Sequence, residues 1–214
     1  MTTFGILGSG AVGQTLARGL KQHGHEVRIA SRTPAKLADF QAKTGIGTGT
    51  FPEVARWAEV IVLAVLGRAA REALQEAGAA NLDGKVVIDT TNPISEEPPQ
   101  DGVLRYFTPA NSSLMESLQE AFPRARLVKA FNSVGNALMV NPVLPGGRPT
   151  MFYCGNDQAA KALVARLLDQ FGWEPADMGT AVAARAIEPL CQLWCIPGFR
   201  ENRWRHAFKL VEQA

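Results

Sequence analysis

Residues 4–13 read Phe4-Gly5-Ile6-Leu7-Gly8-Ser9-Gly10-Ala11-Val12-Gly13, an apolar run that leads directly into the pattern Gly-x-Gly-x-x-Gly. This pattern is typical of the turn between a β-strand and an α-helix that binds the pyrophosphate of a dinucleotide. Gly8 permits a tight turn, Gly10 lets the backbone approach a pyrophosphate, and Gly13 lets helix and strand pack closely. Glycine-rich turns also occur in ordinary loops, but the strand before and the helix after favour a cofactor site.

The residues after the glycines have the spacing of an amphipathic helix. Val12, Leu16 and Leu20 recur every four residues, with Ala17 beside them, so that one face of the helix can pack on a sheet. The N-terminus of such a helix directs free N–H groups and the positive end of its dipole towards bound phosphates. The start of the chain therefore predicts a strand, a turn and a helix that together hold a dinucleotide.

The residues after the second predicted strand, 25–31, indicate which dinucleotide binds. Domains that bind NAD usually carry Asp or Glu about 20 residues beyond the glycines, where it accepts from the ribose hydroxyls. This chain has Ser31, Arg32 and, shortly after, Lys36. A carboxylate would repel a 2′-phosphate, whereas these cations attract one and the Ser31 hydroxyl can donate to it. The prediction is NADP(H) rather than NAD(H); a solvated basic turn is the alternative.

Apolar runs at 59–66 and 85–89 alternate with helical patterns through the first half of the chain. This alternation predicts an α/β fold with a doubly wound parallel sheet, a Rossmann-like NAD(P)-binding fold with right-handed crossovers. We expect residues 1–178 to form the NADP-binding domain. Residues 179–214 are expected to form a small C-terminal helical extension packed on it, with helices over 180–195 and 202–213 and with Trp204, Phe208 and Val211 clustered.

Ligands of such sheets bind beyond the carboxyl ends of the strands. That rule selects Leu66-Gly67, Thr91-Asn92-Pro93 and Asn132-Ser133 at predicted strand ends, and Ala64 and Val65, in the run that leads to Leu66, are included among the candidate cofactor-binding residues. Short polar side chains there are suited to holding a nicotinamide ring and its carboxamide. A plain turn at Asn92-Pro93 and a strand-end cap at Asn132 stay open as alternatives. The proline-rich loop 94–102 is either a mobile cover or an exposed insertion.

The composition of the chain limits the kinds of partner that are expected. The 22 basic and 20 acidic residues give a net charge of +2 without blocks of like charge, so we expect neither nucleic acid nor a membrane surface as a partner. No apolar run approaches the roughly 20 residues that span a bilayer, and we expect no signal peptide. The three cysteines, Cys154, Cys191 and Cys195, predict buried free thiols in a reducing, cytoplasmic compartment and no metal site.

The assembled pattern resembles the family of NADP oxidoreductases dependent on coenzyme F420, which pass hydride between NADP(H) and a deazaflavin. It also resembles the cytosolic ferric reductase domain of certain membrane metalloreductases. The matching segments are 8–13, Ser31-Arg32 with Lys36, 91–93, 128–135 and 154–157. The resemblance implies that Ser9, Gly10, Ala11 and Val12 line the pyrophosphate, and that Leu66, Asn132 and Gly135 approach the nicotinamide side.

Hydride transfer between a nicotinamide and a flavin-like ring requires stacking of the two rings, so no catalytic acid or base is assigned. The expected partner is a small-molecule redox acceptor, either coenzyme F420 or a flavin. One alternative is an NADPH-dependent reductase of a small carbonyl or imine, in which Lys129 could act as an acid, although structural pairing of Lys129 is favoured. A second is a non-catalytic NADPH-sensing module. The C-terminal helices either form a homodimer interface or cover the core edge.

Overall fold

Strands and helices alternate from the start of the chain in the computed structural model, which describes residues 2–213. The first half comprises β1 (Thr3–Leu7), α1 (Ala11–Gln22), β2 (Glu26–Ala30), α2 (Ala38–Thr44), β3 (Gly47–Gly49), α3 (Phe51–Trp57), β4 (Val60–Leu63), α4 (Ala70–Ala77), α5 (Ala79–Leu82) and β5 (Val86–Asp89). The second half comprises α6 (Leu114–Ala121), β6 (Arg126–Lys129), β7 (Thr150–Gly155), α7 (Gln158–Gln170), β8 (Glu174–Asp177), α8 (Ala184–Ile187) and α9 (Pro189–Glu201).

The eight strands form one sheet in the order β3-β2-β1-β4-β5-β6-β7-β8. Strands β1 to β6 are parallel, and Phe4 of β1 lies in register with Val27 of β2 and Val60 of β4. The strand order reverses between β1 and β4, where an open α/β sheet forms its ligand crevice. The predicted Rossmann-like α/β fold is therefore confirmed.

The sheet is mostly rather than wholly parallel, which corrects the predicted parallel sheet at one edge. β7 runs antiparallel to β6, with Lys129 opposite Cys154, and β8 is parallel to β7. A parallel return requires a crossover, usually a helix. Across 130–149, a range that the structure describes in full, no α-helix forms, and the only helical element is the 3₁₀ helix Asn136–Leu138. Three prolines in this segment oppose a longer helix.

The hydrophobic core lies in two layers, one on each face of the sheet. Successive residues of β1 point to opposite faces, so Ile6 packs with Leu16 and Leu20 of α1, whereas Leu7 packs with Leu63 and Leu74. All four residues of β4 are buried, as expected of a central strand covered on both faces. This packing fixes the carboxyl ends of β1, β2 and β4 relative to one another.

The C-terminal extension is helical only in part. α8 and α9 occupy most of the helix predicted over 180–195, but the helix predicted over 202–213 is wrong, because none of those described residues belongs to a helix or strand. Asn202 adopts a left-handed conformation that ends α9, and the backbone carbonyl of Phe208 accepts from Thr150 N at 2.8 Å. Pairing with the end of β7 thus replaces helical hydrogen bonds.

The predicted apolar cluster of the last residues forms in part. Trp204 and Phe208 pack against a third buried cluster that includes Trp194, whereas Val211 is 82% exposed and lies outside it. In the range 2–213, every helix falls short of the length and apolar character that crossing a bilayer requires.

Candidate dinucleotide site at the strand ends

The glycine turn joins β1 to α1, and its three glycines meet different surroundings. Gly8 has φ of +128°, and a Cβ on it would lie 2.1 Å from the carbonyl oxygen of Ala64. A Cβ on Gly13 would lie 2.1 Å from the carbonyl oxygen of Gly8. A Cβ on Gly10 would meet no described atom within 4 Å. The tight turn at Gly8 and the close helix–strand packing at Gly13 are therefore as predicted, and Gly10 faces open space.

The N-terminus of α1 opens into the same space. Gly10 is the N-cap residue of α1, and no described side chain caps the helix there. The first N–H groups of a helix lack intrahelical partners and carry the positive end of the dipole. Because the first turn of α1 contains no acidic residue, this end of the helix is suited to an anion.

A cavity of about 390 Å³ begins at this turn. Its lining includes predicted pyrophosphate and strand-end residues: Gly8, Ser9, Gly10, Ala11, Val12, Ala64, Val65 and Leu66. Further lining residues were not predicted: Phe51, Ala69, Glu72, Ala73, Glu76 and Thr90. Phe51 opens α3 after β3, and the others lie at the end of β5 or on the helical segment after β4. The strand-end rule, applied to β3 and β5, could have found Phe51 and Thr90, but not the four residues on the helical segment.

A second cavity of about 300 Å³ adjoins the first and shares Gly8, Ser9, Arg32, Phe51 and Val65 with it. Its remaining lining residues are Ser31, Thr33 and Lys36. Ser31 is buried, and its hydroxyl accepts from Thr33 N at 3.1 Å and from the Ser9 hydroxyl at 3.4 Å. Arg32 and Lys36 are exposed beside it. The structure thus brings together all three predicted 2′-phosphate residues and joins them to the glycine turn.

The predicted nicotinamide-side residues lie at the ends of β5 and β6. Asn92 Nδ2 donates to the Asn132 carbonyl at 2.8 Å, and Asn132 Nδ2 donates to Asn92 Oδ1 at 3.1 Å and to the Ile187 carbonyl at 2.9 Å. A Cβ on Gly67 would lie 1.9 Å from the Asn92 carbonyl oxygen, so the β4 end also meets this pair. The side chains of Asn92 and Asn132 therefore bind the strand ends to each other.

Neither cavity is lined by all of the predicted nicotinamide-side residues. The larger cavity reaches Thr90, but Thr91, Asn92, Pro93, Asn132 and Gly135 are not among its lining residues. Gly135 instead packs under the indole of Trp194, whose nearest ring carbon would lie 2.6 Å from a Cβ at that position. The C-terminal extension thus forms a wall beside the predicted nicotinamide side.

A buried ion cluster lies behind the same strand ends; sequence reasoning favoured a structural pairing of Lys129 but did not identify its partners. Lys129 Nζ is 2.7 Å from Asp89 Oδ2 and 2.9 Å from Glu188 Oε1, and it donates to the Thr91 carbonyl at 2.7 Å. Burial disfavours the ammonium charge, but the two carboxylates outweigh burial, and the pKa of Lys129 is raised. The geometry is that of the structural pairing favoured for Lys129 above.

The three cysteines are free and buried, as predicted. Burial, reinforced by the nearby carboxylates, raises the pKa of the Cys154 thiol to about 12. Cys191 and Cys195 pack with Leu104 and Trp194. Within residues 2–213, no three His, Cys, Asp or Glu side chains are grouped so that they could hold a metal ion.

Comparison with known proteins gives consistent relationships. Residues 3–93 match the family described as NADP oxidoreductase, coenzyme F420-dependent. A crystal structure from Arthrobacter sp. FB24, of a candidate F420-dependent NADP reductase, is 35% identical with a TM-score of 0.93 and covers 99% of this chain and 100% of that chain. The family model thus covers the glycine turn and the strands beside it, and the Arthrobacter structure shares the fold of almost the whole chain.

Two curated relatives are matched over a smaller share of their length. Rat metalloreductase STEAP3 is 31% identical over 198 residues, which are 90% of this chain and 38% of that protein. The F420-dependent NADP reductase of Methanocaldococcus jannaschii is 30% identical over 116 residues, 52% of this chain and 50% of that protein. The chain therefore spans half or less of the length of these relatives.

Proposed function

We propose that this chain, which belongs to the family of coenzyme F420-dependent NADP oxidoreductases, transfers a hydride between NADPH and a deazaflavin or flavin-like acceptor. Family membership makes it an NADP-dependent oxidoreductase. The identity of the acceptor and the residues that bind both partners are the proposal.

The observation that carries the proposal is the pair of adjoining cavities between the glycine turn and Lys36, which share five lining residues and lie where the strand order reverses; this pair is called the groove below. In this groove the N-terminus of α1 is suited to the pyrophosphate, and the basic cavity to the 2′-phosphate. The proposed NADP(H) site comprises Gly8, Ser9, Gly10, Ala11, Val12, Gly13, Ser31, Arg32, Lys36, Ala64, Val65, Leu66, Thr91, Asn92, Pro93, Asn132 and Gly135.

The chemistry asks little of the protein beyond positioning. When bound, a reduced nicotinamide supplies the hydride itself. The protein's contribution is to hold the two rings in contact and to exclude water, and proximity of this kind can lower a barrier by roughly 7 to 11 kcal/mol. Since Lys129 is buried and paired, it offers no proton to an alkoxide. This supports a ring acceptor over a carbonyl.

The surface beside the strand ends is apolar and open. Leu66 is 63% exposed and precedes Gly67, which packs against Asn92. Phe107 is 47% exposed, and its backbone N–H donates to the Pro93 carbonyl at 2.9 Å. These two side chains border the proposed nicotinamide position and can contact the face or edge of a planar ring.

An acceptor panel tests this proposal. Purified protein is mixed with NADPH and, separately, with coenzyme F420, riboflavin, FMN, a ferric chelate, small carbonyls and a cyclic imine, and NADPH oxidation is followed by absorbance. We expect turnover with at least one ring acceptor and none with carbonyls or the imine. Reduction of carbonyls or the imine alone would refute hydride transfer to a ring. NADPH binding without any turnover would support a sensing module.

We further propose that residues 1–178 form the NADP-binding unit with 179–214 packed on it, and that the protein works in a reducing, cytoplasmic compartment. Leu193 and Phe199 on α9 are 55% and 47% exposed and could contribute to a homodimer. Sedimentation equilibrium measures the oligomeric state directly.

A further inference from the structure

We infer that Lys129, with Asp89 and Glu188, is a positioning residue that holds the strand ends and the C-terminal extension in the arrangement required by the nicotinamide half of NADPH. The inference rests on the proposed function, because it assigns a role within the same site. It concerns residues outside the cavity lining, which act through Thr91, Asn92 and Asn132 rather than by touching the cofactor.

Thr91 is held from two sides by this cluster. Asp89 Oδ1 accepts from Thr91 N at 2.9 Å and from the Thr91 hydroxyl at 2.7 Å, and the Thr91 carbonyl accepts from Lys129 Nζ. Asp89 Oδ2 has no hydrogen bond of regular geometry to a described atom and is held by the charge of Lys129. The backbone that leads into Asn92 is therefore fixed in both directions.

Glu188 connects the cluster to a third part of the chain. Its Oε2 accepts from Leu114 N at 2.9 Å and its Oε1 from Met115 N at 3.0 Å, at the N-terminus of α6. The Glu188 carbonyl accepts from the Tyr106 hydroxyl at 2.7 Å. One ammonium faces two carboxylates, so the donors and the positive end of α6 offset the second negative charge.

The same ion cluster also adjoins the residues that are proposed to face the nicotinamide. Phe131 lies between Lys129 and Asn132 and has φ of +63°, a strained conformation that persists only where the surroundings fix it. Asn132 donates to the carbonyl of Ile187, the neighbour of Glu188. Trp194, further along α9, packs on Gly135. Both the strand end and the wall beside it therefore depend on the Lys129–Glu188 contact.

A purely stabilising role does not require these charges. Replacing a buried ion cluster by apolar residues is often neutral or favourable for stability. Here Lys129 Nζ lies 2.7 Å from Asp89 Oδ2 and 2.9 Å from Glu188 Oε1 and donates to the Thr91 carbonyl, so one ammonium joins the end of β5 to the start of α9. An apolar side chain would fill the space without joining these two segments. The cluster therefore suits a positioning role rather than a role in stability alone.

Lys129→Met tests the inference, with Lys161→Met as the matched control. Lys161 is also buried and ion-paired, 2.9 Å from Asp177, but lies outside the proposed site. Binding of 2′,5′-ADP reports the phosphate half, and the emission of bound NADPH reports the nicotinamide half. For Lys129→Met we expect unchanged 2′,5′-ADP affinity, NADPH emission close to that of the free dinucleotide, and kcat reduced roughly 100-fold. Lys161→Met should change only the melting temperature.

A folded Lys129→Met protein with wild-type emission and kcat would overturn the inference. If that variant does not fold, Asp89→Asn decides, because it keeps an oxygen for Thr91 and removes one charge; we expect kcat to fall about tenfold, and an unchanged kcat refutes the positioning role. Failure of the two proposals is distinguishable. A wild-type protein that binds no NADPH refutes the proposed function, whereas an active wild type with indistinguishable variants refutes the positioning role alone.

Discussion

Replacing Arg32 by alanine is expected to weaken NADPH binding roughly 10- to 150-fold, because a hydrogen bond between charged partners contributes about 1.5–3 kcal/mol. NADH, which has no 2′-phosphate, should bind the variant within about twofold of wild type. Arg32 is exposed beside the buried Ser31 hydroxyl in the cavity that adjoins the glycine turn. The guanidinium can therefore meet a phosphate without rearrangement of the fold.

Titration of both dinucleotides by calorimetry measures this effect, with Arg18→Ala as the control. Arg18 carries the same charge and is exposed on α1, but it packs over the ring of Phe40 and lies outside both cavities. The control should bind NADPH and NADH as wild type does. Equal losses for the two dinucleotides in Arg32→Ala would remove the 2′-phosphate role. Lys36→Ala should show a smaller selective loss, since an ammonium binds phosphate as a point charge.

The part of the fold that the sequence predicted well is governed by local patterns. The helix predicted after the glycine turn is α1, and the apolar runs at 59–66 and 85–89 contain β4 and β5. Buried parallel strands are continuous apolar runs, and the helices between them have their own spacing. Each of these patterns is formed by residues that are close together in the chain. It can therefore be recognised in a single sequence without knowledge of tertiary contacts.

The parts that were missed depend on contacts between distant segments. The direction of β7 follows from a connection that forms no crossover helix, and the last residues exchange helical hydrogen bonds for pairing with Thr150. Helix propensity is a weak constraint that such tertiary contacts override. The apolar spacing of 202–213 predicted an amphipathic helix, but it could not show that β7 offers an unpaired backbone end.

The candidate site likewise has one part that local motifs predict and one part that depends on contacts between distant segments. The glycine turn and Ser31-Arg32 are short motifs whose proposed roles follow from their position after β1 and β2. The ion cluster joins the end of β5, the end of β6 and the start of α9, and no motif links these segments. A signal was nevertheless present, because Lys129 ends an apolar strand and Glu188 stands within an apolar stretch. Charges in buried segments require partners, which predicts a pairing without identifying it.

Substituting alanine at Gly10 and at Gly13 is expected to separate binding from folding. A methyl group on Gly13 would lie 2.1 Å from the Gly8 carbonyl oxygen, a backbone atom that cannot move away without separating α1 from β1. We expect Gly13→Ala to lower the free energy of unfolding by about 3 kcal/mol, the upper part of the usual range for overpacking. Urea denaturation measures this loss, and a variant as stable as wild type would show that the helix and strand can separate freely.

Gly10→Ala should fold with a free energy of unfolding within about 1 kcal/mol of wild type, because φ of −75° suits alanine and a Cβ there meets no described atom within 4 Å. The added methyl group projects into the space in front of the α1 N-terminus, where we place the pyrophosphate. Backbone N–H groups that can no longer reach a phosphate each forfeit about 1.5–3 kcal/mol, so NADPH binding should fall roughly 100-fold. NADH binding should fall by the same factor, since both dinucleotides share the pyrophosphate. A folded Gly10→Ala protein that binds NADPH as tightly as wild type would show that the pyrophosphate lies elsewhere, whatever the selectivity at Arg32.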